Sequence, residues 1–308
     1  MNRVATGNSY SSVLNDLMRA QVRQQEANAQ VSSGKVASNL KGFARQAETL
    51  LAARSIQTRV DAFLTQGKTL GAKLESQELA LNQTADAAAG ARQAIAEALA
   101  TGHGDALMSE LSSWFSSASD SLNARFGGRY LFAGGQVDTP PVSAGAMAEL
   151  TTQPTVAAFF SNDNLVPANQ LDESTTIQSG FLADRLGGGL FDAFRQVQAF
   201  ADANGDFTGR LTTAQETFLQ SMLGDFETAR SDLTDATARN GLIQNRVDKT
   251  METQEARQAM LETMVGGITD VDMAEAISRL QQAQTTVQAS AQVFNTLSQS
   301  SLLNLLQS

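Results

Sequence analysis

Proline placement constrains this chain more than any other feature. All four prolines, Pro140, Pro141, Pro154 and Pro167, fall within one window of 28 residues. The 139 residues before that window and the 141 after it contain none. Proline costs roughly 3 kcal/mol inside a helix, so its exclusion from both flanks is what long helices require. The window itself holds a Thr- and Val-containing run, Thr151-Thr152-Gln153-Pro154-Thr155-Val156-Ala157-Ala158-Phe159-Phe160, followed by the turn signal Ser161-Asn162-Asp163-Asn164. It reads as a small strand-and-loop insertion over roughly 136–180. The expected fold is mainly α: a long coiled-coil-like helical bundle made by paired N- and C-terminal segments, with a small β-containing central insertion.

Hydrophobic spacing supports the long helices. A seam with alternating steps of three and four runs Leu219, Met222, Phe226, Ala229, Leu233, Ala236, Asn240, Ile243, Val247 and Thr250, and resumes at Leu261 and Met264 beyond Gln254 and Arg257. Such spacing held over several heptads predicts a helix of about 50 residues. Gly266-Gly267 is expected to stop it. Asp272 with Glu275 then forms the D-x-x-E pattern of a capping box, and the last helix carries Met273, Ile277, Leu280, Gln284, Val287, Ala291 and Phe294 before ending in Leu302, Leu303, Leu305 and Leu306.

The N-terminal flank mirrors this. Val13, Leu17, Ala20, Gln24, Ala27 and Val31 form a seam that ends at Ser32-Ser33-Gly34, with Gly34 as the expected C-terminal cap. A second helical stretch, about 43–100, shows a stripe of Leu70, Leu74, Leu81, Ala88, Ala91 and Ile95. A third, about 104–126, carries Leu107, Leu111, Trp114, Ala118 and Leu122. The first seam has few large side chains, so a helix built on it is marginal alone and needs neighbours. The matching C-terminal seam is the obvious one.

Composition removes several function classes. There is no cysteine and one histidine, and the net charge is −10. Thiol chemistry and disulfides are thereby excluded, and a nucleic-acid backbone is repelled because the 22 basic residues are scattered singly. No membrane span is expected, since no window approaches 18 uninterrupted apolar residues. Met1-Asn2-Arg3-Val4-Ala5-Thr6-Gly7-Asn8 lacks the apolar stretch of a cleaved signal peptide, so any export is expected to bypass the general secretory route.

Four segments, in this order, carry a family resemblance. Val31-Ser32-Ser33-Gly34-Lys35 resembles the first helix break of flagellins. Arg239-Asn240-Gly241-Leu242-Ile243-Gln244-Asn245-Arg246-Val247 is similar to the segment opening their C-terminal region. Ile268-Thr269-Asp270-Val271-Asp272-Met273-Ala274-Glu275-Ala276 resembles the start of their last helix. The tail, with Gln284, Ala289 and Ser300-Ser301-Leu302-Leu303, resembles their terminal coiled-coil strand. Within that family, Gly127-Gly128-Arg129-Tyr130-Leu131-Phe132-Ala133-Gly134-Gly135, followed by Asp138-Thr139-Pro140-Pro141, is similar to the signature of the hook-associated protein 3 branch, the hook–filament junction proteins.

The resemblance implies a structural, non-enzymatic protein without cofactor. Residues 1–42 and 266–308 would be assembly helices of an inner core, 43–135 and 181–265 the outgoing and returning halves of a helical bundle, and 136–180 a small outer domain. The implied partners are further copies of the chain, hook-associated protein 1, flagellin, and an export chaperone holding the C-terminal helices. The location implied is the extracellular flagellum, reached unfolded through the flagellar type III apparatus. Filament flagellin is the alternative within the family, and a soluble coiled-coil scaffold the alternative from another class.

The remaining motifs read as structure. His103, in Thr101-Gly102-His103-Gly104, has neither a second histidine nor a cysteine for a metal site and reads as a surface loop. Asp270 and Asp272 could suggest a cation site, but acidic residues at a helix N-terminus are explained by capping and the macrodipole. Gly187-Gly188-Gly189 lacks the Lys-Ser/Thr of a phosphate loop and reads as a hinge into a short helix with Leu190, Phe194 and Val197. Asn204-Gly205, within Asp202 to Asp206, resembles part of a calcium loop but lacks its glutamate, and reads as a turn. Asn240 and the seam glutamines are either tolerated polarity or residues that fix helix register.

Overall fold

The computed structural model describes the backbone of residues 2–306 and the side chains of residues 11–299. Six helices account for most of it: α1 (Asn2–Ser33), α2 (Ala47–Thr101), α3 (Leu107–Leu122), α4 (Ala183–Asn204), α5 (Thr213–Thr269) and α6 (Met273–Leu306). Four short strands form two antiparallel hairpins, β1 (Arg125–Phe126) with β2 (Arg129–Tyr130), and β3 (Ala168–Gln170) with β4 (Thr176–Gln178). The fold is therefore mainly α with a small β-containing insertion, as the proline distribution requires. Among the described residues no helix is long and apolar enough to cross a membrane. The chain divides into two compact units, one made of residues 1–59 and 257–308 and the other of residues 60–256.

In the unit of residues 60–256, α2 and α5 run antiparallel. Gln244 Nε2 donates to Glu78 Oε2 at 2.8 Å, Thr237 pairs with Asn82, and Arg92 lies 3.4 Å from Glu227. Leu81, Ala88, Ala91 and Ile95 are buried on α2, and Leu219, Met222, Phe226, Ala229, Leu233 and Ala236 on α5. Alanines on one helix face larger residues on the other, which lets the two backbones approach closely. Gly90 makes room for α3 instead, since a Cβ there would lie 2.3 Å from the Trp114 ring.

The register places Gln77 level with Asn240, and both are fully buried. Asn240 Nδ2 donates to the Leu74 carbonyl at 2.9 Å. Its Oδ1 and both amide atoms of Gln77 have no protein partner. This polar layer separates the main apolar core from a smaller cluster of Leu70, Leu74 and Val247, on which Leu171 and Ile177 of the β3–β4 hairpin pack. A buried amide without a partner costs about 1–3 kcal/mol, whereas a pair of apolar groups of similar shape does not carry that penalty. The double substitution Gln77→Leu with Asn240→Leu is therefore expected to raise the unfolding free energy by about 1–3 kcal/mol, read from the denaturant midpoint.

A cluster of aromatic rings forms where α3 and α4 meet α5. Phe115 touches Phe191 and Phe194 with ring centroids 5.0 and 5.6 Å apart, and Phe194 meets Phe226 edge-on at 5.1 Å. Phe160 of the insertion joins Phe191 at 5.2 Å. The insertion thus shares this core, to which Val142, Met147, Leu150 and Phe159 also belong. Reciprocal amide bonds hold it down: Asn123 exchanges two 3.0 Å hydrogen bonds with the Val142 backbone, and Asn162 donates from Nδ2 to Asp184 Oδ1 at 2.8 Å and accepts at Oδ1 from the Asp184 N–H at 3.1 Å.

Three expectations fail in instructive ways. Gly187-Gly188-Gly189 is no hinge but lies inside α4, because a Cβ at Gly187 would lie 2.5 Å from Leu122 and the helix needs that closeness. Gly266-Gly267 does not stop α5, which continues to Thr269; glycine costs only about 1 kcal/mol within a helix, and the chain leaves the helix where Asp270 finds partners outside it. The Thr151–Phe160 run contributes no strand but two 3-10 turns, Met147–Thr151 and Val156–Phe159. Pro154 between them has no N–H for a ladder, and its carbonyl accepts instead from Arg195 Nη2 at 2.9 Å.

Candidate assembly surface

The unit of residues 1–59 and 257–308 is built around α1 and α6, which pack antiparallel. Gly34 ends α1 with φ +68°, a left-handed conformation that glycine adopts without a Cβ penalty, and its N–H donates to the Gln30 carbonyl at 2.9 Å. The chain that follows pairs with the α5–α6 turn. Val36 N–H donates to Thr269 O at 2.8 Å, and Val271 N–H to Gly34 O at 3.0 Å. Lys35 Nζ donates to Asp270 Oδ1 at 2.5 Å, and the Thr269 hydroxyl to the same oxygen at 2.8 Å. At the start of α6, Asp272 Oδ1 accepts from the N–H groups of Ala274 and Glu275 at 2.8 and 3.1 Å. Glu275 does not return the bond, because its carboxylate binds Arg279 one turn on.

These contacts occupy both carboxylates that could suggest a cation site. Among the described residues no cluster of three His, Cys, Asp or Glu side chains is placed to hold a metal ion. His103 is exposed, with Nδ1 3.8 Å from Asp105. The Lys35 ammonium, with help from the Thr269 hydroxyl, holds the Asp270 carboxyl below its ordinary value. A carboxyl depressed in the folded state contributes above its unfolded pKa and loses that contribution as pH falls through the folded one. The clasp is therefore expected to hold at neutral pH and to open only below the ordinary carboxylate range, and to weaken in high salt because both groups are about half exposed. Faster amide exchange at Val36 and Val271 in Asp270→Asn than in the parent at pH 7 is the expected readout.

On α1 the seam faces inward. Ala20 and Ala27 are buried, and Val13, Leu17, Gln24 and Val31 are half-buried. On α6 the inward residues are Ala276, which is fully buried, then Leu280, Ala283, Val287, Ala291 and Phe294. Here the helix phase differs from the expected one. Met273, Ile277 and Gln284 are exposed, because the small Ala276 and Ala283 turn toward α1 and the next residue rotates outward by about 100°. Ala27 and Ala283 line one open groove of about 400 Å³ with Gln30 and Thr286. On the end of α5 the phase shifts similarly: Gln254, Gln258, Leu261 and Val265 face inward, and Arg257 and Met264 do not. The side chains of Leu302 and Leu305 lie outside the described residues.

A second set of apolar side chains points to solvent. Met18 and Val22 lie one turn apart on the face of α1 opposite its seam, and Met260 with Met264, and Met273 with Ile277, form similar exposed pairs. From Leu280 to Ser308 the sequence contains no charged residue. A helix meant for permanent solvation would place Lys and Glu on its outer face; this one places Gln281, Gln284, Thr285, Gln288, Gln292 and Asn295 there. That absence of charge was readable in the sequence and is the signal that points to a face covered by protein.

The signature stretch sits in the other unit. Gly127 and Gly128, with φ +58° and +83°, make the two-residue turn joining β1 to β2, a turn that needs positive φ at both positions. Arg125 stacks on the Tyr130 ring 4.1 Å from its centre and hydrogen-bonds the Tyr130 hydroxyl. Tyr130, Leu131 and Phe132 are buried, Arg129 is exposed, and the Phe132 carbonyl accepts from Ala183 N–H at 3.0 Å, tying this stretch to the start of α4.

Residues 223–306, which span most of α5 and all of α6, match the bacterial flagellin C-terminal helical region. Among solved structures, a putative flagellar hook-associated protein from Vibrio parahaemolyticus aligns with a TM-score of 0.61 at 16% identity, over 73% of this chain and 97% of that one. The chain shares the fold of that protein. FlgL from Xanthomonas campestris aligns with a TM-score of 0.55 at 15% identity, covering 70% and 99% of the two chains. FlgL from Bacillus cereus aligns at 0.54 and 14%, covering 71% and 99%. No curated protein sequence matches this chain.

Proposed function

We propose that this chain is a structural subunit of the bacterial flagellum, acting at the junction between hook and filament. The observation that carries the reading is the α1–α6 pair: a helix with the flagellin C-terminal sequence pattern, clasped to the N-terminal helix, with exposed apolar pairs on the outward faces and, on α6 from Leu280 onward, an uncharged amide surface. Such faces suit burial against further copies, which join head to tail and so propagate instead of closing as a dimer. The hook side would present hook-associated protein 1, and flagellin would add on the other. Delivery would be through the flagellar type III apparatus, with a chaperone covering the C-terminal helices until then.

The putative hook-associated protein and the two FlgL structures among the fold neighbours support the junction role. The match of residues 223–306 to flagellin keeps filament flagellin as the second reading. Seeded assembly separates the two. Purified chain is expected to remain unpolymerised alone and to add as a short cap to hook ends carrying hook-associated protein 1. Long filaments formed by the chain alone would instead make it a flagellin.

A further inference from the structure

We propose that Asn204 is a site of spontaneous deamidation in the folded protein, and that the fold protects the chain's other Asn-Gly pair, Asn240-Gly241, from the same reaction. The chemistry is intrinsic to the dipeptide. The backbone nitrogen of the glycine attacks the asparagine Cγ and loses its proton to solvent base; the Cγ–Nδ2 bond breaks and ammonia leaves. The resulting five-membered succinimide takes up one water, which opens it at either carbonyl to give aspartate or isoaspartate. Glycine favours the attack because no Cβ blocks its nitrogen. The remaining requirement is that the backbone at the asparagine can rotate out of helical geometry.

The two sites differ on that requirement. Asn204 is the final residue of α4, and residues 203–206 are all exposed. Gly205 follows at φ +86° and ψ 153°, outside the helix, and its N–H makes no capping hydrogen bond. Rotation about Asn204 displaces only the loop leading to Phe207 and breaks no helical bond downstream. One bond from the Asn204 side chain, Nδ2 to the Phe200 carbonyl at 3.0 Å, must be released, and it is on the surface. Asn240 lies in the middle of α5, is 0% exposed, and donates to Leu74 O across the helix pair. Rotation there would interrupt α5 and open the core, so reaction must wait for local unfolding.

The product has a structural consequence. A carboxylate at position 204 stands at the negative end of the α4 dipole, between Asp202 and Asp206. Asp202 is already committed, accepting from Gln198 Nε2 at 2.8 Å and from the Thr151 hydroxyl at 2.9 Å. The new charge loosens the last turn of α4, beside the stacked rings of Phe200, Phe207 and Phe218. The chain thus accumulates a covalent record of age at one turn while its core stays chemically intact.

The test is incubation of the full chain at mildly alkaline pH, followed by peptide mass mapping with isoaspartate-specific methylation. The folded chain is expected to convert Asn204 at least about tenfold faster than Asn240, and the two rates are expected to approach each other in denaturant. Asn204→Gln should leave unfolding unchanged and remove the early isoaspartate signal. Conversion of both sites at equal rates in the folded chain would overturn the proposal, as would an Asn204 that stays intact in the folded chain but reacts in denaturant.

Discussion

A Phe194→Ala chain is expected to unfold with a free energy about 3–5 kcal/mol below that of the parent, measured by denaturant titration. Phe194 is fully buried on α4 and meets Phe115 of α3 and Phe226 of α5 edge-on. Truncation removes its burial, two aromatic contacts worth about 0.5–1.5 kcal/mol each, and leaves a cavity that three helices cannot close together. Phe200→Ala, at a half-buried ring on the same helix, is expected to cost less. Equal losses at the two positions would mean that the core is not centred where α3, α4 and α5 converge.

The second large effect is on assembly instead of stability. Ala20→Glu combined with Ala27→Glu is expected to abolish addition of the chain to hook ends. Both alanines are buried on α1 against α6, and each glutamate would bring a charge and extra volume into that contact. The unit of residues 60–256 contains neither position, so its unfolding midpoint should stay within experimental error of the parent. Ala20→Ser with Ala27→Ser, small and uncharged, should retain assembly. Loss of assembly together with the folding of residues 60–256 would show the first effect to be indirect.

How much of this was legible in the sequence varies with the kind of signal. The α2 and α5 seams were readable because large residues recur at helical spacing over many turns, and the same spacing with the prolines set the fold class. The α6 seam was readable in outline but not in phase. Ala276 and Ile277 are both apolar, and periodicity favoured the larger one, whereas close helix packing selects the smaller. The glycine runs at 187–189 and 266–267 carry a local breaking signal that tertiary packing overrides. The Gly127-Gly128 turn was readable as a hairpin from its dipeptide alone, yet it stood out only as part of a family signature. The aromatic cluster could not be read from sequence as a cluster, since Phe191 and Phe194 of α4 meet Phe115, Phe160 and Phe226, which come from three other parts of the chain and share no spacing with them.

A junction subunit has one position on the organelle, between hook and filament. Intact flagella would be labelled with antibody against residues 136–180 and viewed by electron microscopy. Label confined to the joint between hook and filament is expected. Label along the whole filament would make the chain a flagellin, and flagella without label would contradict a flagellar role altogether.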